Sequence, residues 1–375
     1  MAGDEPHKVL QSVIVAAVHV VLSGTMIAPL GAVTSNQERQ QMKSREVQLA
    51  RRPDGMPSRD DFKIVETETG DPGSGEVVVR NLYMSVDPYM RGRMRDGKSY
   101  VPPFQIGETM DGGAIGQVVA SEFEGLSEGD YVLSSFGWRE AFRCAGDRVK
   151  PLGEIEAPPS AYLGVMGMPG MTAYTGLLGA ASLQEGETVF VSGAAGAVGS
   201  AVGQIAKIKG CRVIGCAGSA AKVAYLKDDL GFDHAFDYHD GELRGQLREG
   251  APEGLDVYFD NVGGGLLEAA ISSMREFGRI ALCGAISMYN ASEPTPGPIN
   301  LPRAIGMGLS LRGFLVGHYS DMQEDFMRDM SSWLASGRLT YRETVMDGIE
   351  SSPDAFIGLF SGANIGKMVV RLSEV

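Results

Sequence analysis

Cysteine is scarce in this 375-residue chain: there are four, Cys144, Cys211, Cys216 and Cys283, and no two form a CxxC pair. That scatter suits reduced thiols in a cytoplasmic protein and argues against a disulfide framework. Positive charge is also short. Thirty-three Lys and Arg face 47 Asp and Glu, a formal net charge of −14. Nucleic acid and anionic membranes want a basic face, so neither is expected as a partner. The five histidines, at 7, 19, 234, 239 and 318, fall nowhere at metal-ligand spacing. One long apolar run is present, VLQSVIVAAVHVVLSGTMIAPLGAV at residues 9–33. As a secretory signal it lacks a clear positive leader, since MAGDEPHK precedes it. As a membrane span it would have to carry Gln11, Ser12, His19, Ser23 and Gly24. Residues 1–43 are read instead as an N-terminal extension, and MKSREVQLARRPDG, from Met42, makes a natural start for the domain after it.

The rest is that of a globular chain of roughly two domains: 43% hydrophobic, 21% charged, and rich in glycine, with 51. From 44 to 165, short apolar bursts such as GEVVVRNLYMSVDP and GGAIGQVVAS alternate with Gly and Pro turns, the pattern of a compact β-rich domain. From 166 to 310 strands alternate with helices. TVFVSG is a short buried strand, GAVGSAVGQIAKIKG a helix stopped by Gly210, and CRVIGCAG, LDVYFDNVGG and GRIALCGAIS are further strands. This βαβαβ rhythm predicts a doubly wound parallel sheet, hence an α/β fold. The tail, 311–375, is expected to return to the first domain.

The strand–glycine–helix unit is a candidate dinucleotide site. Its glycines are Gly193, Gly196 and Gly199, and Ala194 stands where the usual fingerprint begins. Gly196, Ala197, Val198 and Gly199 would let a pyrophosphate approach the helix N-terminus. What is missing is the acid expected about 20 residues on, which would hold an adenosine ribose and repel a 2′-phosphate. The next strand ends Ala217-Gly218-Ser219, and the next charged residue is Lys222. A hydroxyl and an ammonium there favour a 2′-phosphate, hence NADP(H). The bland alternative leaves Lys222 as a solvated helix residue.

With these motifs in hand, VFVSGAAGAVGSAVGQIAKIKGCRVIG resembles the zinc-independent medium-chain reductases, with GVMGMPGMTAYTGL before it and DVYFDNVGG and LCGAISMYN after it. VDPYMRGRM and SGANIGKMVV point to one branch, that of prostaglandin reductases, alkenal double-bond reductases and curcumin reductase. The similarity covers 44–375. It implies a GroES-like catalytic domain (44–165 and 311–375), a Rossmann domain (166–310) and a homodimer joined edge to edge through the Rossmann sheets. It also implies that Lys222 and Tyr238 meet the 2′-phosphate region, where Ser219 already stands as a candidate, and that Asn261 reaches the cofactor. Cys283, Gly284, Ala285, Ile286, Ser287 and Tyr289, with Phe314, Leu315 and Val316, would line the nicotinamide end, and Asn364 would complete the pocket. Asn261 could equally be a turn residue, and 314–316 a buried strand.

Zinc relatives carry a histidine where this chain has IGETMDGGAIGQV, and Cys144 is alone in its domain, so no metal is expected. The chemistry implied is NADPH-dependent reduction of the C=C bond of an α,β-unsaturated ketone or aldehyde: hydride goes to the β-carbon, and hydrogen-bond donors stabilise the enolate. Tyr89, Tyr289 and Tyr319 are the candidate donors, and each could instead be a packing tyrosine. A quinone reductase and a non-catalytic nucleotide-binding regulatory protein are the rival functions.

Overall fold

The computed structural model describes residues 42–374. The apolar run at 9–33, with the expectations attached to it, lies outside these residues. Among the described residues no helix is long and apolar enough to cross a membrane.

The chain opens with an antiparallel ribbon, β1 (Lys43–Leu49) and β2 (Phe62–Glu68). The strands β3 (Glu76–Ser85), β4 (Ala114–Ser121), β5 (Tyr131–Ser134), β6 (Ala141–Ala145) and β7 (Lys150–Pro151) come next. Then come β8 (Thr188–Val191), β9 (Arg212–Ala217), β10 (His234–Asp237), β11 (Leu255–Asp260), β12 (Met274–Leu282) and β13 (Ser310–Gly313). The last strands are β14 (Glu343–Asp347) and β15 (Lys367–Arg371). A seven-stranded sheet runs β14-β15-β3-β4-β5-β7, with β6 paired to β3. A six-stranded parallel sheet has the order β10-β9-β8-β11-β12-β13.

The second order reverses between β8 and β11. In an open α/β sheet a ligand binds outside the carboxyl ends of the strands at such a switch point. TVFV of β8 is buried at all four positions, as expected of a parallel strand covered on both faces. Phe190 stacks on Tyr258 at 4.9 Å and on Phe236 at 6.0 Å, which locks β8, β11 and β10 from one side. Fully burying such a ring stabilises by about 1.5–3 kcal/mol. In the first domain Trp138, wholly buried, stacks on Phe62 and meets Phe356 edge-on.

The boundary expected at 311 falls inside β13, which is the sixth strand of the parallel sheet. The physical reason is that β13 pairs with the outer edge of β12, from Arg279↔Ser310 to Leu282↔Gly313. The helix Gln323–Ala335 also stays on that side, where Tyr174 meets Phe326 and donates to Asp329 at 2.8 Å. Return to the first sheet is made by β14 and β15, through antiparallel pairing of β15 with β3.

Candidate active site

After β8 the backbone turns through Gly193, at φ 57°, to Gly196, which stands before the helix Ala197–Ile208 in extended conformation and without a side-chain cap. The first N–H groups of a 12-residue helix are thus left without a capping side chain, at the positive end of its dipole. Gly199 sits directly on the turn. A Cβ there would lie 2.4 Å from the Gly193 carbonyl oxygen, so only glycine lets the helix dock so closely. Val198 is half-buried against the core. The tail closes over this turn: Gly366 N–H donates to the Ala195 carbonyl at 2.7 Å, and Gly366 forms a parallel bridge with Gly196. Asn364 shapes that tail loop, its amide donating to the Gly366 carbonyl at 2.7 Å.

At the end of β9, Ser219, Lys222 and Tyr238 converge. The Ser219 hydroxyl caps the short helix Ala220–Ala224 by accepting the Lys222 N–H at 3.4 Å. Tyr238 lies over Gly218 so closely that a Cβ there would be 2.6 Å from the phenol oxygen. Lys222 Nζ donates to the Gly362 carbonyl at 2.8 Å, and partial burial pushes its pKa down. Asp237, the acid at the end of β10, is engaged by His239 through its backbone N–H and ring at 3.0 and 2.9 Å. The ammonium and hydroxyl are the chemistry that suits the 2′-phosphate of NADP(H), although the Asp237 charge stands near enough to act on the Tyr238 phenol.

The other end of the crevice rests on a hub that sequence reading missed. Asp260, 1% exposed, accepts from the Tyr258 phenol at 2.6 Å, from Ser192 Oγ at 3.2 Å and from the N–H groups of Val262 and Gly263 at 3.0 and 2.8 Å. Its carbonyl receives the N–H groups of Cys283 and Gly284 at 2.9 and 3.0 Å. One residue therefore ties the end of β11 to the loop after β12. Asn261 is fixed by a hydrogen bond that its Nδ2 donates to the Ser192 carbonyl at 2.8 Å. Ile286 N–H donates to the Asn261 carbonyl, and Ser287 Oγ donates to the Val262 carbonyl at 2.6 Å. The only hint in the chain was the acid of DNVGG; its partner Ser192 lies 68 residues away.

Tyr289 closes this loop. Its hydroxyl accepts the Ala285 N–H at 3.2 Å, and burial raises its pKa. Burial pushes the Cys283 thiol up to about 12, with the Asp260 charge adding to it. Tyr89 precedes the short helix Met90–Arg93; burial, then the Asp87 charge, holds its phenol well above the ordinary range. Between them stands Tyr100, a residue no sequence pattern marked. It is largely exposed, yet partial burial raises its pKa, and Tyr289 and Cys283 are close enough to add to the effect. Two arginines of the first domain hold the Tyr289 loop. Arg91 Nε donates to Asn290 at 2.9 Å, and Arg95 donates to the carbonyls of Tyr289 and Ala291 at 2.9 and 2.7 Å. A cleft of ≈ 570 Å³ opens beside these arginines, lined by Arg52, Arg91, Arg95, Met288 and Glu293 among others and by none of the three tyrosines.

Tyr319 stands apart from this group. Its ring packs on Gly179 and meets Phe314 edge-on at 6.2 Å, on the side of the parallel sheet carrying the helix Gln323–Ala335. Phe314 is itself buried edge-on against Phe259, while Leu315 and Val316 are half-buried.

Residues 45–152 match the family described as N-terminal domain of oxidoreductase, and residues 197–334 match zinc-binding dehydrogenase. The chain is 42% identical over 339 residues to NADPH-dependent curcumin reductase of Escherichia coli, covering 89% of this chain and 98% of that one. It is 42% identical over 341 residues to 2-alkenal reductase (NADP(+)-dependent) of Nicotiana tabacum, covering 89% and 99%. The crystal structure of CurA in complex with NADPH from Vibrio vulnificus superposes with a TM-score of 0.84 at 43% identity, over 88% of this chain and 100% of that one. The chain belongs to the medium-chain dehydrogenase/reductase family. Within it, this reductase falls in the branch of the curcumin, alkenal and prostaglandin reductases.

The second family description names zinc. Among the described residues no group of three or more His, Cys, Asp or Glu is placed to share a metal ion. Burial raises the Cys144 thiol to about 11, which disfavours the thiolate a metal needs.

Proposed function

We propose that this reductase saturates the C=C bond of α,β-unsaturated ketones and aldehydes, with NADPH as cofactor. The observation that carries the reading is the gathering of Tyr89, Tyr100 and Tyr289 by the Cys283–Tyr289 loop, near enough that Tyr289 acts on Tyr100 and Tyr100 on Tyr89; each is a protonated donor at neutral pH. When bound, NADPH supplies the hydride that goes to the β-carbon of the substrate.

The chain's own residues do the rest. Lys222, Ser219 and Tyr238 receive the 2′-phosphate, and the helix after Gly196 receives the pyrophosphate. The Asp260 hub fixes Asn261 and the 283–289 loop, so the nicotinamide end is shaped in advance. A donor to the carbonyl oxygen stabilises the enolate as charge develops there. Tyr289 is best suited to this role: its oxygen already accepts the Ala285 N–H, which orients the phenol and leaves its proton to donate. Water or a tyrosine returns the proton at the α-carbon.

The test is a kinetic panel of enones, enals and quinones with NADPH and NADH, with product analysis. Saturated carbonyl products with NADPH are expected. Turnover of quinones alone, or binding of NADPH with no oxidation of it across the panel, overturns the reading.

The reading includes a homodimer. Strand β13 is an edge of the parallel sheet, and Phe277, Ile299 and Ile305 near it are 73%, 82% and 86% exposed. An unpaired sheet edge is a template on which another chain can pair, and exposed apolar side chains favour such a contact. Light scattering should give twice the monomer mass. A cytoplasmic location is proposed from the four free cysteines and is checked by cell fractionation.

A further inference from the structure

A buried ion pair stands between the pyrophosphate turn and the Tyr89 segment. Lys367 and Asp87 are 4% and 6% exposed. The Lys367 ammonium donates to the carbonyls of Met368 and Val86 at 2.7 and 2.9 Å and lies 3.3 Å from the Asp87 carboxylate, so its three protons have three partners. Ser85 donates to the same carboxylate. On the backbone side, the residue before Lys367 is Gly366, which donates to Ala195 in the pyrophosphate turn. On the Asp87 side, Tyr89 is two residues on, and the Asp87 charge acts on its phenol. The Asp87 carbonyl also accepts the N–H of Met90, the first residue of the helix that Tyr89 precedes.

We infer that the Lys367–Asp87 pair is a positioning device, which sets where the Tyr89 phenol stands relative to the cofactor turn. This rests on the enone-reductase reading above. Buried ion pairs are poor stabilisers: replacing both members by apolar or neutral groups of similar size is often neutral or favourable. A pair kept here with every proton partnered acts through geometry. Glu343, half-buried and bonded to Ser160 at 2.8 Å, is the other charge facing Lys367. Geometry is what a hydride transfer needs, since a misplacement of about 1 Å can cost roughly 100-fold.

The test is the combined variant Asp87→Asn/Lys367→Met, which leaves neither member's charge buried without the other. Its melting temperature is expected to fall, because the Val86 and Met368 carbonyls lose their donor, while its NADPH dissociation constant, read by fluorescence below the new transition, stays close to that of the unaltered protein. Its kcat on an enone is expected to fall about tenfold or more. Tyr89→Phe should lower kcat in the unaltered protein but by less than about twofold in the combined variant, because the phenol is already misplaced there. Unchanged kcat overturns the inference. So does a loss of NADPH affinity in step with kcat, or an equal effect of Tyr89→Phe in both backgrounds. If the combined variant does not fold, Lys367→Arg must show the same fall in kcat with intact NADPH affinity, or the inference fails. Absence of any enone-dependent NADPH oxidation by the unaltered protein overturns the functional reading itself.

Discussion

The two ends of the cofactor crevice are built in opposite ways. At the adenosine end, Gly218, Ser219 and Lys222 are near-neighbours in the chain, and Tyr238 stands just past the adjacent strand β10. At the nicotinamide end, Tyr89, Tyr100 and Tyr289 come from two domains and from positions up to 200 residues apart, and the Asp260 hub joins strands that are not consecutive in the chain. The first end holds a fixed charge by charge complementarity, which a short segment can supply. The second must place a proton donor against a developing charge, which needs rigid support from several elements. Affinity is therefore expected to depend on the first end and turnover on the second.

The sharpest way to break this comparison is Tyr289→Phe. Loss of one donor to the enolate oxygen should lower kcat by about 100-fold, with the KM for NADPH little changed. An equal fall in NADPH affinity would mean that the two ends do not divide the work. Next in size is Lys222→Ala. Removing a charge-assisted contact should weaken NADPH by about 10–100-fold while NADH kinetics stay level. A change of kcat with both cofactors alike would count against the 2′-phosphate assignment.

A pH series separates the ends without mutation. Burial lowers the Lys222 pKa below its usual 10.5, so its charge is lost earlier as pH rises. Burial raises the Tyr289 and Tyr89 pKa values above their usual 10.0, so those phenols stay protonated longer. As pH climbs toward 10.5 the KM for NADPH should rise before kcat loses any contribution from a phenol, in steady-state kinetics at each pH. The smallest effect belongs to Tyr319→Phe. Its ring fills space beside Gly179 and Phe314, so kcat should change by less than about twofold. A tenfold loss would place Tyr319 among the donors after all.

Much of the fold is legible in the sequence because parallel strands buried on both faces read as short apolar runs closed by glycine, as TVFV and LDVYFD do. Strand β13 is harder. It is an edge strand, with three of four residues exposed, so LRG carries no burial pattern and a boundary placed at 311 cuts through it. Tyr319 resembles a lining residue because it comes after Phe314–Val316, but the backbone turns after Leu315 into a 3-10 helix and points its ring at Gly179. Tyr100 carries no signal at all: an exposed tyrosine in KSYVPP matches no period or motif, and only its neighbours in the fold give it meaning.

By itself, then, the chain determined the parallel sheet, the glycine turn and the cation that suits a 2′-phosphate. Each depends on residues close to one another in the chain, where backbone sterics and local charge decide. The tertiary structure alone decided which tyrosines come near one another, that Asp260 anchors the loop that Tyr289 closes, and that Lys367 reaches Asp87. The Ser192–Asp260 bond spans 68 residues and the Lys367 ammonium reaches the Val86 carbonyl across 281, and only tertiary packing brings groups so far apart in the chain within hydrogen-bond reach.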